Sequence, residues 1–254
     1  MSNLLIRTIT GIILAAIAIS AVLYLPEPIF KFAIAGIATI ASWEVSNLLK
    51  RKYTHIDPYF ASIVGFFSSI SVLFFDPFLA LLIMFLYSFY ISHKYWDIDY
   101  LSALVFSLVY SVFFISSIGL LIDINRYLIL ILFATVWSGD TFAYFVGKNL
   151  GKHKLAPRLS PKKTWEGAIG SIAGSLIIGG ATAYYFEIYS AFIPIVIASV
   201  ILQIGDLFES FIKRQVDVKD SSHLIPGHGG ILDRIDALIF ASVVFLIFYN
   251  LKIL

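Results

Sequence analysis

The feature that most constrains this chain is a succession of apolar stretches, each close to the length of a membrane span, divided by short polar breaks. A spanning helix needs about 20 mostly apolar residues, with a range of roughly 17–25. About nine such stretches can be read: 5–25, 29–49, 59–75, 78–92, 101–122, 127–147, 167–187, 190–211 and 234–251. They predict an all-α polytopic integral membrane protein, about nine transmembrane helices in one bundle. The third and fourth stretches are short and share a tight Asp76-Pro77 turn, compatible with a helical hairpin or two tilted spans. Composition agrees, with 59% hydrophobic and 13% charged residues, against about 45–50% and 25% in soluble domains. The absence of cysteine excludes disulfides and thiolate catalysis.

The first stretch could be mistaken for a secretory signal, since Arg7 precedes the apolar run Ile9 to Leu25. That run exceeds the roughly 7–15 residues of a signal core, and no small-residue cleavage site precedes Pro26. A retained first helix is expected. Orientation follows from the basic residues, which gather in cytoplasmic loops. Fifteen fall on one side: Arg7, Lys50, Arg51, Lys52, Lys94, Lys148, Lys152, Lys154, Arg158, Lys162, Lys163, Lys213, Arg214, Lys219 and Arg234. Only Lys31, Arg126 and Lys252 fall on the other. The N-terminus and the charged loops are therefore expected in the cytoplasm and the C-terminus outside.

Two loops on the basic side stand out, 148–166 and 212–233. No linker, repeat or low-complexity segment interrupts the chain, so a single domain over 1–254 is expected, with N-terminal spans in 1–125 and a motif-bearing half in 126–254. Gly170 and Gly174 form a small-xxx-small pattern, which marks close helix packing rather than chemistry.

Within this apolar background, residues 204–236 carry six carboxylates and four basic side chains. Ionisable groups at a membrane boundary are costly unless paired, metal-bound or solvated. Asp206 and Glu209 stand three apart and share a helix face, and Asp233 and Asp236 repeat the spacing. Paired carboxylates suit a hard divalent cation, because Mg²⁺ takes one or two of them and shares its other positions with water and substrate phosphates. Salt bridging to Lys213, Arg214 and Arg234 is the plainer alternative. His228-Gly229-Gly230 precedes a helix start, where backbone N–H groups can approach a phosphate. His223 and His228 lack the partners of a zinc site. In the other loop, Asp140 sits inside an apolar span with Tyr144 one turn on, and Ser160, Lys162, Lys163 and Thr164 offer hydroxyl and ammonium groups to a polyphosphate. No Walker A pattern is present.

These residues resemble the signature of the phosphatidate cytidylyltransferase family, the CDP-diacylglycerol synthases. The pattern S-x-x-K-R-x-x-x-x-K-D is met by Ser210, Lys213, Arg214, Lys219 and Asp220, and H-G-G-x-x-D-R-x-D by His228, Gly229, Gly230, Asp233, Arg234 and Asp236. The element S-P-K-K-[ST]-W-E-G runs from Ser160 to Gly167. The resemblance covers 137–236 and implies transfer of the cytidylyl group of CTP to phosphatidic acid in phospholipid biosynthesis. It further implies Mg²⁺, with room for a second, monovalent cation, and by position Asp206 and Asp233 match the family's metal carboxylates, with Glu209 a helper. Lys213, Arg214, Lys219 and Arg234 would neutralise phosphates, and Asp220 and Asp236 would orient the others. Asp140, Ser160, Lys162, Lys163, Thr164, His228, Gly229 and Gly230 are the expected nucleotide contacts. A homodimer in the inner membrane, facing the cytoplasm and with no nucleic-acid partner, is expected. The alternatives are a cytidylyltransferase for another lipid phosphate and a cation-coupled transporter, which predicts mid-span charges and inverted repeats.

Overall fold

The computed structural model describes residues 3–250, with side chains from Thr8 onward; Lys252, residue 251 and the Arg7 side chain, used above, lie outside that description. Helices follow one another with little between: α1 (Asn3–Tyr24), α2 (Glu27–Leu49), α3 (Pro58–Phe74), α4 (Pro77–Tyr95), α5 (Ile98–Ile124) and α6 (Arg126–Leu150). A hairpin of β1 (Lys154–Ala156) and β2 (Ser160–Thr164) comes next. Helix α7 (Trp165–Gly174) then runs through a π turn, Ser175–Gly179, into α8 (Gly180–Tyr185), and α9 (Phe192–Arg214) and α10 (Leu232–Asn250) close the chain.

Six helical stretches among the described residues are long and apolar enough to cross a membrane: Glu27–Leu49, Pro77–Tyr95, Ile98–Ile124, Arg126–Leu150, Trp165–Tyr185 and Tyr189–Arg214. The apolar parts of α1 and α3, Thr8–Tyr24 and Pro58–Phe74, are shorter. Helix α10 coincides with the last expected stretch and carries Asp233, Arg234 and Asp236 in its opening turns.

Local chemistry sets the breaks. Asp57 before Pro58 accepts from the N–H groups of Tyr59 (2.9 Å) and Phe60 (3.4 Å). Asp76 before Pro77 does the same for Phe78 (2.7 Å) and Leu79 (3.2 Å). Proline at the first helical position sacrifices an N–H that would have no partner anyway, while the carboxylate satisfies the next ones. The Asp76-Pro77 turn thus separates two helices, and Asn125 opens α6 by accepting from Tyr127 N–H at 2.9 Å.

The chain divides into two compact units, one of residues 1–120 and 215–234, the other of 121–214 and 235–254. In the first, the serines of α2 and α3 face those of α5. Ser42 and Ser111 hydroxyls stand 2.7 Å apart, Ser46 and Ser107 3.1 Å, and Ser69 and Ser116 2.9 Å. Such pairs join helices where lipid supplies no hydrophobic drive. An apolar cluster including Ile56, Met84, Leu104, Leu108 and Val112 completes this core.

In the second unit α7 lies against α6 along a seam of small residues. A Cβ on Gly170 would stand 2.7 Å from both Cβ and Cγ2 of Val146, and one on Gly174 would stand 2.5 Å from the Phe142 ring. Gly179 faces Thr135, whose carbonyl accepts from Ser175 Oγ at 2.8 Å. The small-xxx-small pattern therefore does pack helices closely, and its face is covered by α6 of the same chain. Gly170→Ala drives a methyl against the stem of a β-branched side chain that cannot rotate aside. We expect it to cost about 1–3 kcal/mol, seen as a lower melting temperature in detergent. Gly36→Ala in α2, where a Cβ meets nothing within 4 Å, should leave that temperature unchanged or raise it.

The segment expected to be a plain loop, 148–166, is partly a hairpin. Lys154 pairs with Thr164 and Ala156 with Ser160. Glu166 ties its base, accepting from the N–H groups of Lys152 (3.1 Å) and His153 (3.3 Å) and bonding His153 Nδ1 at 2.7 Å. Nothing in the polar sequence of these short strands announces them; the closure comes from Glu166, beyond them.

Candidate active site

The motif residues fall in both units, and each group has its own construction. In the first unit the loop between α9 and α10 folds back on itself. Ile225 N–H donates to Gly229 C=O at 2.8 Å and His228 N–H to Ile225 C=O at 2.9 Å. Gly227 and Gly229 close this turn with φ of +74° and +82°, the left-handed region that a side chain disfavours. A cavity of about 390 Å³ opens beside it, lined among others by Lys219, Asp220, His223, His228, Gly229 and Arg234. Cationic side chains, imidazoles and a glycine turn thus surround one polar hollow, a lining suited to a phosphorylated ligand.

Asp233, in the first turn of α10, is nearly buried at 9% exposure. Its Oδ2 accepts three hydrogen bonds, from Ser221 N–H, Ser221 Oγ and Gly230 N–H, each at 2.8 Å. This carboxylate therefore ties the middle of the loop to its end. Fixing one oxygen so firmly sets the plane of the group, which is how hydrogen bonds from behind orient a metal- or phosphate-facing carboxylate.

One residue of this assembly escaped the motif reading. Glu44 of α2 is fully buried, and it accepts from Ser222 Oγ (2.6 Å), Ile231 N–H (3.0 Å) and Leu232 N–H (2.8 Å). A signal existed: it is a lone carboxylate inside an apolar stretch, where such a group needs a reason.

In the second unit Lys163 of β2 forms an ion pair with Asp206 of α9 at 2.5 Å. Asp236 of α10 lies within electrostatic reach of Asp206, Asp140 and Lys213. The approach of α10 to α9 is close because Gly205 leaves room for the Asp236 carbonyl and the Phe240 ring. Glu209, 1% exposed, is ion-paired to Lys213 one turn on. Thr164 spends its hydroxyl on the start of α7, accepting from Gly167 N–H at 3.1 Å. Ser160 lies in the hairpin opposite Ala156, Lys162 is exposed on β2, and Arg214 is exposed at the end of α9. The structure thus gathers Asp140, Asp206, Asp236, Lys163 and Lys213 in this unit.

Among the described residues, no three acidic or histidine side chains stand together as a ready-made metal cage. The donor set still fits a magnesium-like ion, which keeps waters and binds through one or two carboxylates and the substrate. Asp206 is partly exposed and paired with Lys163, and Asp236 lies within the fields of Asp206, Asp140 and Lys213.

The cytidylyltransferase family profile matches residues 5–252, nearly the whole chain. The chain belongs to the cytidylyltransferase family. Among relatives, it is 36% identical over 225 residues to the phosphatidate cytidylyltransferase of Aquifex aeolicus, covering 88% of this chain and 83% of that one. It is 31% identical over 285 residues to the phosphatidate cytidylyltransferase of Haemophilus influenzae, covering 96% and 97%. With the Brucella abortus phosphatidate cytidylyltransferase it shares 48% identity over 124 residues, about half of each chain at 47% and 46%. As a member of the cytidylyltransferase family the chain is a nucleotidyltransferase, an enzyme class commonly dependent on a divalent metal.

Proposed function

We propose that this chain transfers the cytidylyl group of CTP to phosphatidate, giving CDP-diacylglycerol and pyrophosphate. The observation that carries the reading is the polar cavity beside α10, where Lys219, His228, Gly229 and Arg234 line one hollow at the mouth of an apolar helix. The names of relatives matched along most of the chain support it.

In the transfer a phosphate oxygen of the lipid attacks the α-phosphorus of CTP. That P–O bond forms as the bond from the α-phosphorus to the β-phosphate oxygen breaks, and pyrophosphate carries off the electron pair. Charge gathers on oxygens throughout, so positioning and electrostatic stabilisation supply most of the catalysis. Lys219 and Arg234 neutralise phosphate oxygens, and the backbone of the Gly229 turn approaches them closely. A phosphomonoester is already largely dianionic at neutral pH, with a second pKa of about 6, so no dedicated base is required. Lys162 and Lys163 serve the nucleotide phosphates, Glu209 holds Lys213, and Asp220 and Asp236 orient their neighbours. By their match to the motif, Asp206 and Asp233 are each proposed as a carboxylate for Mg²⁺, which when bound would polarise phosphoryl oxygens.

The finer topology belongs to the same proposal: nine spans, an N-terminus and an active site facing the cytoplasm, residence in the inner membrane, and a homodimer. A reaction at the cytoplasmic boundary serves a water-soluble nucleotide and a lipid that never leaves the bilayer.

The test is direct. Purified protein in detergent, given labelled CTP, phosphatidate and Mg²⁺, should form a lipid-linked CMP and release pyrophosphate, and a chelator should stop it. Absence of product with phosphatidate, but product with another lipid phosphate, would transfer the reading to that substrate. Absence with every lipid phosphate would end it.

A further inference from the structure

We propose that Glu44 is a positioning residue of the transfer reaction: from α2 it clamps the start of α10 and the loop before it, and so sets the orientation of Asp233, Arg234 and the Gly229-Gly230 turn. The inference rests on the function proposed above and adds a residue outside the signature motifs.

The geometry is that of a two-point grip. Oε1 takes Ser222 Oγ at 2.6 Å and Ile231 N–H at 3.0 Å, and Oε2 takes Leu232 N–H at 2.8 Å. The opening N–H groups of a helix have no partner within it, and the positive end of the helix dipole favours an anion there. Because each oxygen holds a different backbone group, the grip fixes rotation as well as distance. Leu232 is followed directly by Asp233 and Arg234, so the cavity-lining Arg234 and the loop-binding Asp233 leave the backbone where Glu44 holds it.

A second observation joins the grip to the site. Asp233 binds Gly230 N–H and Ser221, while a Cβ on Gly230 would fall onto Ser221 Oγ and Glu44 Oε1 together. The two carboxylates therefore hold one short loop from two sides, with Gly230 packed between their partners. All three partners of Glu44 are neutral donors, and two are backbone groups of the motif-bearing segment. This is the arrangement expected of a residue that orients others.

The chemistry also dictates the informative variant. In Glu44→Gln one terminal atom becomes an NH₂ group. Whichever way the amide turns, that donor faces a backbone N–H of Ile231 or Leu232, and the grip loses one of its two points. Glu44→Asp keeps the charge but is one methylene shorter, so it cannot serve Ser222 and Leu232 together. Ser222→Ala removes one bond and leaves both backbone contacts.

Wild type, the three single variants and the Glu44→Gln, Ser222→Ala double variant, purified in detergent, should be compared well below the lowest melting temperature of the set. Amide hydrogen exchange should be followed alongside kcat and KM for CTP and for phosphatidate. In Glu44→Gln the expected fall in kcat/KM is roughly 10- to 100-fold, the usual range for losing an orienting partner. Glu44→Asp should recover part of it and Ser222→Ala should lose less. The Glu44→Gln, Ser222→Ala double variant should be little worse than Glu44→Gln alone, because both act on one network. Exchange should quicken at Ile231 and Leu232 and stay unchanged along α6 and α7. Wild-type constants in a folded Glu44→Gln protein, or losses that only track the folded fraction, would overturn the proposal. Should Glu44→Gln fail to fold, Glu44→Asp and Ser222→Ala carry the same test. A wild type inactive with every lipid phosphate would count against the function proposed above, while the exchange measurement, which needs no turnover, would still decide whether the clamp exists.

Discussion

Asp233→Asn is expected to abolish lipid-linked CMP formation while leaving a folded, membrane-inserted protein. The side-chain oxygen of asparagine can take the place of Oδ2 and keep the three donors, Ser221 N–H, Ser221 Oγ and Gly230 N–H, that the carboxylate now gathers. What it cannot keep is the charge, and its other terminal atom becomes a donor where the site calls for an acceptor. Turnover should fall by at least about a hundredfold, ~2.7 kcal/mol of transition-state stabilisation. The melting temperature should drop only modestly, since hydrogen bonds to a neutral acceptor are weaker but still made. Asp233→Ala is the instructive contrast. It strands three donors, each orphaned buried group costing about 1–3 kcal/mol, and should lose stability and activity together. Wild-type turnover in Asp233→Asn would remove Asp233 from the reaction.

Gly230→Ala should be as damaging without touching any charge. The added methyl would fall on Ser221 Oγ and Glu44 Oε1, and would stand 2.7 Å from Glu44 Cδ. Side-chain ends usually swing away from such a contact at little cost. Here Ser221 Oγ is committed to Asp233 and Glu44 is fully buried, so neither can move without releasing its own partners. Relieving the overlap means breaking one grip or shifting the loop, with a stability cost of about 1–3 kcal/mol. Activity should fall further than that cost implies, because both anchors of the α10 start move together. The check is thermal unfolding and turnover on one preparation, and an unperturbed Gly230→Ala enzyme would contradict the packing described.

Much of this arrangement is legible from sequence, and the illegible parts share a physical cause. The helices announce themselves through their apolar stretches, and α3, α4 and α6 open on Asp-Pro or Asn-Arg junctions that cap from within two or three residues. The motif loops are legible because charge is conspicuous in apolar company. The hairpin at 154–164 is not, since its strands are short and polar and its closure depends on Glu166, outside both of them. The π turn at Ser175–Gly179 is equally silent, arising where α7 fits itself to Thr135 of α6. Glu44 is the extreme case. Its partners lie 178 to 188 residues further on, beyond the reach of any local spacing rule. Ser160, Lys162 and Thr164 are neighbours on one strand, but their surroundings differ: the Thr164 hydroxyl caps α7, while Lys162 is exposed.

That same separation has a consequence in time. Glu44 is synthesised 188 residues before Leu232, and translation proceeds at about 5–20 residues per second, a delay of roughly 10–40 s. Through that interval the nascent α2 carries a carboxylate whose three donors do not yet exist. The first unit, made of residues 1–120 and 215–234, can be finished only after residues 121–214 have been made. Until then water or the insertion machinery must keep company with Glu44, so biogenesis of this enzyme includes a waiting period written into the order of its own residues.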